Sequence, residues 1–282
     1  MLVFILILRI ILGPISNVYQ KKLSNRGANS LFVVFITYLG IGAVLFPFSF
    51  FVDYSSLGRE FWQNIILASV LDGIGNILLV KSLQTTQLSV FGPINSLKPA
   101  ITMVLAFLFI NEVPSVTGVL GLIIILIGTI IITYEKGGKF KISQGIIYRF
   151  SGLIFASIAT VYMKKSILLS SPEITLIFWA LIILPIMFMV LLLNLDKTKS
   201  NIATLKRSKK EYLILITMYL MMPYATLICF KYTLIGYSLA IFQLSSIITV
   251  FFGYKYFNEG GMKKKIFCSV LMIIGAGLIL IK

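Results

Sequence analysis

Three charged residues stand inside long apolar runs: Arg9, Asp72 and Lys98. Counted from the ends of those runs at ~1.5 Å per residue, they lie about 12, 15 and 15 Å along their helices, near one depth. A charge at the centre of a membrane-spanning helix costs roughly 2.5 to 3.5 kcal/mol on insertion scales, so such residues face a bundle interior or a watery cavity and have partners. Together they sum to one positive charge. That sum attracts a carboxylate, a phosphate or the anionic end of a zwitterion. Lys98 would hold the anion, and the planar fork of Arg9 matches two of its oxygens at once. Asp72 would pair with Lys98 until a substrate or a proton competes for it. A bridge between Asp72 and Lys98 that only fixes helix packing, with Arg9 snorkelling to an interface, would account for the same charges. The second cation at equal depth, with amides and hydroxyls around it, exceeds what such a bridge needs.

Helical spacing widens each charge into a stripe. Ser69, Asp72 and Asn76 share one face, as do Asn95, Lys98 and Thr102, and Ser16 lies two turns beyond Arg9. Trp179, Tyr224, Gln243, Ser245 and Ser246 fall at pocket depth on other helices, where packing or interhelical hydrogen bonding would equally explain them. The substrate-binding candidates are therefore Arg9, Asp72, Asn76, Asn95, Lys98, Trp179, Tyr224, Gln243, Ser245 and Ser246, with no catalytic or metal-ligating set. Glu112 and Glu259 sit beside turn residues at helix ends, where solvated or loop-fastening roles are expected.

The elements that must position these residues are helices. Of 282 residues 59% are hydrophobic and only 12% charged, against roughly 25% charged in soluble domains, so the chain belongs in a bilayer. Most apolar runs approach the ~20 residues that cross ~30 Å of hydrocarbon as a helix and lack the alternation of barrel strands. Ten helices are predicted, near 1–20, 31–52, 62–82, 88–111, 116–134, 143–165, 173–194, 211–231, 238–257 and 263–281. The first is expected to be a permanent span, since no basic n-region or small-residue cleavage site accompanies it. Pro14, Pro93, Pro99, Pro185 and Pro223 fall inside helices and should open the hydrogen-bond ladder; Pro99 leaves the carbonyl of Asn95 without its usual donor.

The chain also repeats itself. Tyr19-Gln20-Lys21-Lys22, Asn111-Glu112 and Gly128 have counterparts in Tyr162-Met163-Lys164-Lys165, Asn258-Glu259 and Gly275, the last two pairs offset by 147 residues. Five spans per copy would make the second copy enter the membrane from the opposite face. The expected fold class is an all-α membrane protein of ten transmembrane helices in two inverted five-helix repeats, 1–137 and 138–282, joined near Glu135 to Ser143. The segment aligned with Asn95 to Thr102 is Phe242 to Thr249, so Lys98-Pro99 becomes Ser245-Ser246 and the two copies differ chemically.

Other classes fare poorly. There is no histidine, which removes the usual general base and the commonest metal ligand, and no Walker or glycine-rich nucleotide motif. Cys229 and Cys268 both lie in apolar helices, away from any disulfide or thiolate framework. The net charge of +16 sits in loops flanking spans, where it orients a membrane protein rather than binding nucleic acid. Most of it follows odd-numbered helices, which predicts those loops to be cytoplasmic and both termini outside. The basic loop from Leu195 to Lys210 suits contact with membrane lipid.

Ser89 to Gly128, with Phe91-Gly92-Pro93-Ile94, Pro99, Asn111-Glu112 and Gly121, and Ser238 to Gly277, with Asn258-Glu259-Gly260 and Gly275-Ala276-Gly277, resemble the drug/metabolite transporter superfamily, specifically its ten-helix EamA-type members. The resemblance implies secondary transport of a small metabolite by alternating access, without cofactor or enzymatic activity. It would be coupled to a proton or counter-substrate, in a monomer or weak homodimer of a bacterial cytoplasmic (inner) membrane. Lys98 departs from the often uncharged helix-four position of amino-acid exporters of this kind, which argues for an anionic or zwitterionic substrate. The termini also depart, since the superfamily is usually drawn with them inside. Two alternatives are a carrier for organic cations or drugs, which would need an aromatic cage and an unpaired Asp72, and a membrane-embedded lipid-modifying transferase using Asp72 with an external metal. A third is an assembly subunit without a cavity.

Overall fold

The computed structural model describes residues 2–95, 97–110, 115–133, 143–192, 198–232 and 235–280. Asn111 and Glu112, the repeat junction at 135–142 and the start of the basic loop at 195–197 lie outside the described residues. Within them the helices are α1 (Leu2–Asn25), α2 (Ser30–Ser49), α3 (Arg59–Thr85), α4 (Leu88–Asn95), α5 (Lys98–Ile110), α6 (Val116–Thr133) and α7 (Gln144–Leu169). They continue with α8 (Pro172–Leu192), α9 (Thr198–Arg207), α10 (Lys209–Tyr232), α11 (Ile235–Phe242), α12 (Ser245–Phe257) and α13 (Met262–Leu280). No strand occurs among the described residues. Six helices, α1, α2, α3, α7, α8 and α10, are long and apolar enough to cross a membrane. Large apolar side chains stand on their outer faces, among them Phe46, Phe48, Met189 and Leu213, as expected of a surface that meets lipid rather than water.

Local chemistry sets the ends. The Asn29 side chain accepts from Leu31 N to cap α2, and Ser143 accepts from Ile146 N to cap α7. Asn258 closes α12 in the left-handed conformation at φ 51°, which asparagine tolerates better than bulkier residues. The α1–α2 turn passes through Gly27 at φ +84°, a backbone conformation that favours glycine.

Two expected continuous helices are broken. The predicted span 88–111 is α4 then α5, and 238–257 is α11 then α12. The breaks lie 147 residues apart: α4 ends at Asn95 and α11 at Phe242, while α5 begins at Lys98 and α12 at Ser245. Pro99 explains the first, because its ring excludes the helical bond back to Asn95. The second has no proline. There, as at the first, the chain tightens into shorter i→i+3 bonds, Leu244 N to Ile241 O and Ser246 N to Gln243 O, matched by Leu97 N to Ile94 O. Pro14, Pro185 and Pro223 stay inside unbroken helices. The short helix α9, within the basic loop, was not expected; Asn201 on it accepts from Asn29 N and ties it to the α1–α2 turn.

Helices pack mainly in antiparallel pairs. α3 lies along α7 and α1 along α10, while α2 pairs with α8, α6 with α13 and α4 with α12; α5 rests mainly on α7, and α11 touches α13, α1 and α5. The α3–α7 pair crosses closely at Gly75 and Gly152, where a Cβ on either would sit 3.2 or 3.1 Å from the other's carbonyl oxygen. Small residues let helix backbones approach in this way. The main core joins α2, α3, α8 and α10 through Phe32, Tyr38, Ile65, Trp179, Ile183 and Tyr212.

Candidate functional site

Between these pairs, where the broken helices meet α1, α3, α7 and α10, lies a cavity of about 210 Å³. Eight of the ten sequence candidates line it: Arg9, Asp72, Asn76, Asn95, Lys98, Trp179, Gln243 and Ser245. Tyr224 and Ser246 do not, which corrects their expected place. Tyr224 is exposed on the far side of α10 and donates to Glu173 Oε1 at 3.0 Å. Ser246 is buried behind the cavity with its hydroxyl unpaired. Both lie at pocket depth, but helical rotation turns them away from it.

Asp72 is the acidic residue of the lining, and it is held by neutral donors. Its Oδ2 accepts from Asn76 Nδ2 at 3.0 Å, Trp179 Nε1 at 3.1 Å and Tyr38 OH at 3.3 Å. Trp179 and Tyr38 meet edge to face, with ring centroids 5.3 Å apart. Behind them the chain of bonds continues: Asn76 Oδ1 accepts from Tyr219 OH at 2.9 Å, and Tyr219 OH accepts from Gln20 Nε2 at 2.8 Å. The network fastens α1, α2, α3, α8 and α10 around one carboxylate. The expected Asp72–Lys98 ion pair is absent among the described residues; the carboxylate already takes three hydrogen bonds and stays with them.

The cations are left to the cavity. Among the described residues Lys98 makes no hydrogen bond or ion pair, while it lies within electrostatic reach of Asp72, Arg9 and Arg149. Arg9 donates from Nε to Thr226 Oγ1 at 2.6 Å and stacks over the Phe242 ring at 4.7 Å. Its guanidinium folds back over Gly13, where an added Cβ would come within 2.9 Å of Nη1. The third cation, Arg149 on α7, was missed in the sequence. It is buried, donates from Nη2 to Asn95 Oδ1, stacks over Phe91 at 4.3 Å and keeps Nε unpaired. The signal that would have found it is the recurrence of sequence motifs at an offset of 147 residues, which sets Arg149 within two turns of the position aligned with Arg9.

One end of the cavity is sealed. Glu259, expected to be solvated or loop-fastening, is buried and fastens several elements. Its Oε1 accepts from Lys21 Nζ at 2.7 Å and from Leu88 N at 2.6 Å. Lys21 also donates to Thr86 O at 3.0 Å, and Lys265 donates to Gln87 Oε1 at 2.6 Å. These bonds close α1, α4, α12 and α13 together beyond Asn17 and Leu79, where the lining stops. Toward the other end the lining runs on to Phe230, two residues from the end of α10. The bonds from Arg26 at the end of α1 to Ser208 and Glu211 at the start of α10 place that end opposite Lys21.

The chain is similar over its whole fold to a protein known from its crystal structure, with a TM-score of 0.65 and 14% identity, covering 98% of this chain and 94% of that one. That likeness speaks to the fold alone. A stretch of 71 residues is 35% identical to Uncharacterized protein MJ1333.1 of Methanocaldococcus jannaschii, spanning 25% of this chain and 52% of that protein. The chain thus spans about half the length of this curated relative. Residues 1–134 match the EamA-like transporter family, whose members are transporters rather than enzymes. The first 134 residues are thus similar to EamA-like transporters of the drug/metabolite transporter superfamily, and six helices of the chain are long and apolar enough to cross a membrane.

Proposed function

We propose that this chain is a secondary active transporter of a small polar metabolite bearing an anionic group, anionic outright or zwitterionic, working by alternating access. The observation that carries the reading is a cation-rich cavity between the halves with one end sealed by a buried ion pair. With α4 and α5 counted as one interrupted span, and α11 and α12 as another, the helices make ten spans in two five-span repeats, 1–137 and 138–282. Helix packing supports that division. Exchanging α1 with α7, α2 with α8, α3 with α10, α4 with α11, α5 with α12 and α6 with α13 turns each principal helix pair into another observed pair, or into itself.

Alternating access needs a second closure at the other end, which the repeat supplies in kind. Lys164, the counterpart of Lys21, donates to Phe230 O near the end of α10, and Glu112 is the sequence counterpart of Glu259. In this reading the sealed end, where the basic loops gather, is cytoplasmic, the membrane is a bacterial inner membrane, the cavity faces outward, and a proton or counter-substrate drives return. The surplus of cations over the single lining carboxylate favours an anion over an organic cation.

Reconstitution of the purified chain into liposomes tests the reading. Uptake of a labelled anionic metabolite without added partners is expected, and Lys98→Gln abolishes it. Absence of flux from folded protein across anionic, zwitterionic and cationic panels, or product formation without translocation, would overturn it.

A further inference from the structure

We infer, resting on that carrier reading, that the transported molecule carries two negative charges and is gripped by one arginine from each half of the protein. Arg9 on α1 stacks on Phe242 of α11, and Arg149 on α7 stacks on Phe91 of α4. Under the exchange of halves, α1 takes the place of α7 and α11 that of α4, so the two arginines come from corresponding helices and reach corresponding helices, with the stacked rings about one turn out of register: Phe242 aligns with Asn95, the residue Arg149 bonds, and not with Phe91. Each half thus supplies an arginine and stacks it on the interrupted helix of the other half. A fixed partner orients each one, Thr226 for Arg9 and Asn95 for Arg149.

Neither fork is used up. A guanidinium carries five N–H donors, and only Nε of Arg9 and Nη2 of Arg149 are bonded among the described residues. Arg149, at 6% exposure, has no partner for Nε among the described residues. Lys98 adds a third cation without a hydrogen bond or ion pair among the described residues.

The charge count then selects the ligand. Three cations and one carboxylate leave a surplus of two positive charges, and Asp72 cannot turn to them without breaking bonds to Tyr38, Asn76 and Trp179. Deep in a membrane such a surplus is costly unless something matches it. A monoanion leaves one cation unmatched, and a zwitterion leaves the whole surplus. A dianion brings the loaded site to neutrality: a dicarboxylate offers each arginine fork its own pair of oxygens, and a phosphate monoester offers three terminal oxygens for the two forks to share. Phosphate monoesters and dicarboxylates share this chemistry. The cavity, of about 210 Å³, suits a small polar body.

Thermal stabilisation of the purified full-length protein tests the inference, because a ligand that binds the folded state raises its stability according to affinity. The probes are glycerol 3-phosphate and succinate as dianions, monomethyl succinate as a monoanion and alanine as a zwitterion. At least one dianion is expected to bind about tenfold or more tightly than the monoanion and the zwitterion, and which one binds separates the phosphoryl source from the dicarboxylate source. Arg9→Gln and Arg149→Gln are each expected to weaken it by about 10- to 100-fold, as loss of a charged hydrogen-bonding partner does. Arg149→Lys, which keeps the charge, weakens it less and serves where the glutamine variant fails to fold. Equal binding of monomethyl succinate or alanine, no stabilisation by either dianion, or unchanged dianion affinity in Arg149→Gln overturns the dianion. Flux of alanine in liposomes would in that case leave the carrier reading standing, whereas no flux of any probe would remove both.

Discussion

Replacing Glu259 with glutamine should unlock the sealed end of the cavity. The carboxylate is 5% exposed at its side chain and its Lys21 partner 10%. Removing one partner of a buried pair leaves the other charge stranded, at about 3 to 5 kcal/mol. The lower figure applies, because Lys21 keeps the Thr86 carbonyl and lies 5.0 Å from the Phe257 ring centroid, and glutamine can still accept from Leu88 N. The pair links α1, the start of α4 and the end of α12, so it exists only while this end is shut and its loss falls on the shut state alone. At 1.4 kcal/mol per tenfold, 3 kcal/mol corresponds to about a 150-fold shift toward opening at this end. Asn17, at the cavity's last lined position before Lys21, gives the readout. In an Asn17→Cys protein with Cys229 and Cys268 replaced by alanine, a membrane-impermeant thiol reagent applied from the Lys21 side should react slowly. Adding Glu259→Gln should speed it by up to about two orders of magnitude, with labelling from the opposite side reduced. An unchanged rate from the Lys21 side, in protein that keeps its melting temperature, would refute the assignment of Lys21 and Glu259 as the closure.

Three further outcomes are expected. Gly13→Ala should raise helix stability by up to about 1 kcal/mol yet weaken anion binding several-fold by titration, because the new methyl displaces the Arg9 guanidinium from 2.9 Å; unchanged affinity would place Arg9 outside the binding site. Trp179→Phe deletes one of three donors to Asp72 Oδ2 and should cost about 2 kcal/mol of stability, the scale of a hydrogen bond to a charged group, read as a lower melting temperature. Gly275→Val should separate α6 from α13, since its Cβ would lie 2.7 Å from the Gly121 carbonyl. A backbone atom cannot step aside as a side chain can, so a loss of about 1 to 3 kcal/mol is expected, and wild-type stability would contradict the close contact.

The sequence revealed the charges that are out of place, and it missed those that are not. Arg9, Asp72 and Lys98 are conspicuous because apolar residues surround them on both sides. Arg149 escapes because it lies six residues after the cap Ser143, near a helix start, where a basic residue reads as a flank. The partners of Asp72 were equally hidden: Tyr38 and Tyr219 look like packing residues in an apolar helix until their hydroxyls are located. The role of Glu259 could not be read locally, since Lys21 lies 238 residues away in the chain. What did mark the pair was repetition, with Asn-Glu occurring at one offset from itself. The first helix break was legible from Pro99. The second lacks a proline, and only its alignment with the first points to it.

Lys98 is the opening residue of α5. Amide groups there have lost their intrahelical acceptors and their dipoles add, so a helix left to itself favours an acid at that point and disfavours a cation. Here a lysine occupies it just after the break that follows α4, and on the other side α12 also begins at the cavity, with Ser245. The main chain and the side chain therefore push the local potential the same way. Neutralising the lysine would leave part of that pull in place, and a residual preference for negative charge in a Lys98→Gln variant that also carries Arg9→Gln and Arg149→Gln would report the field of the two helix starts alone.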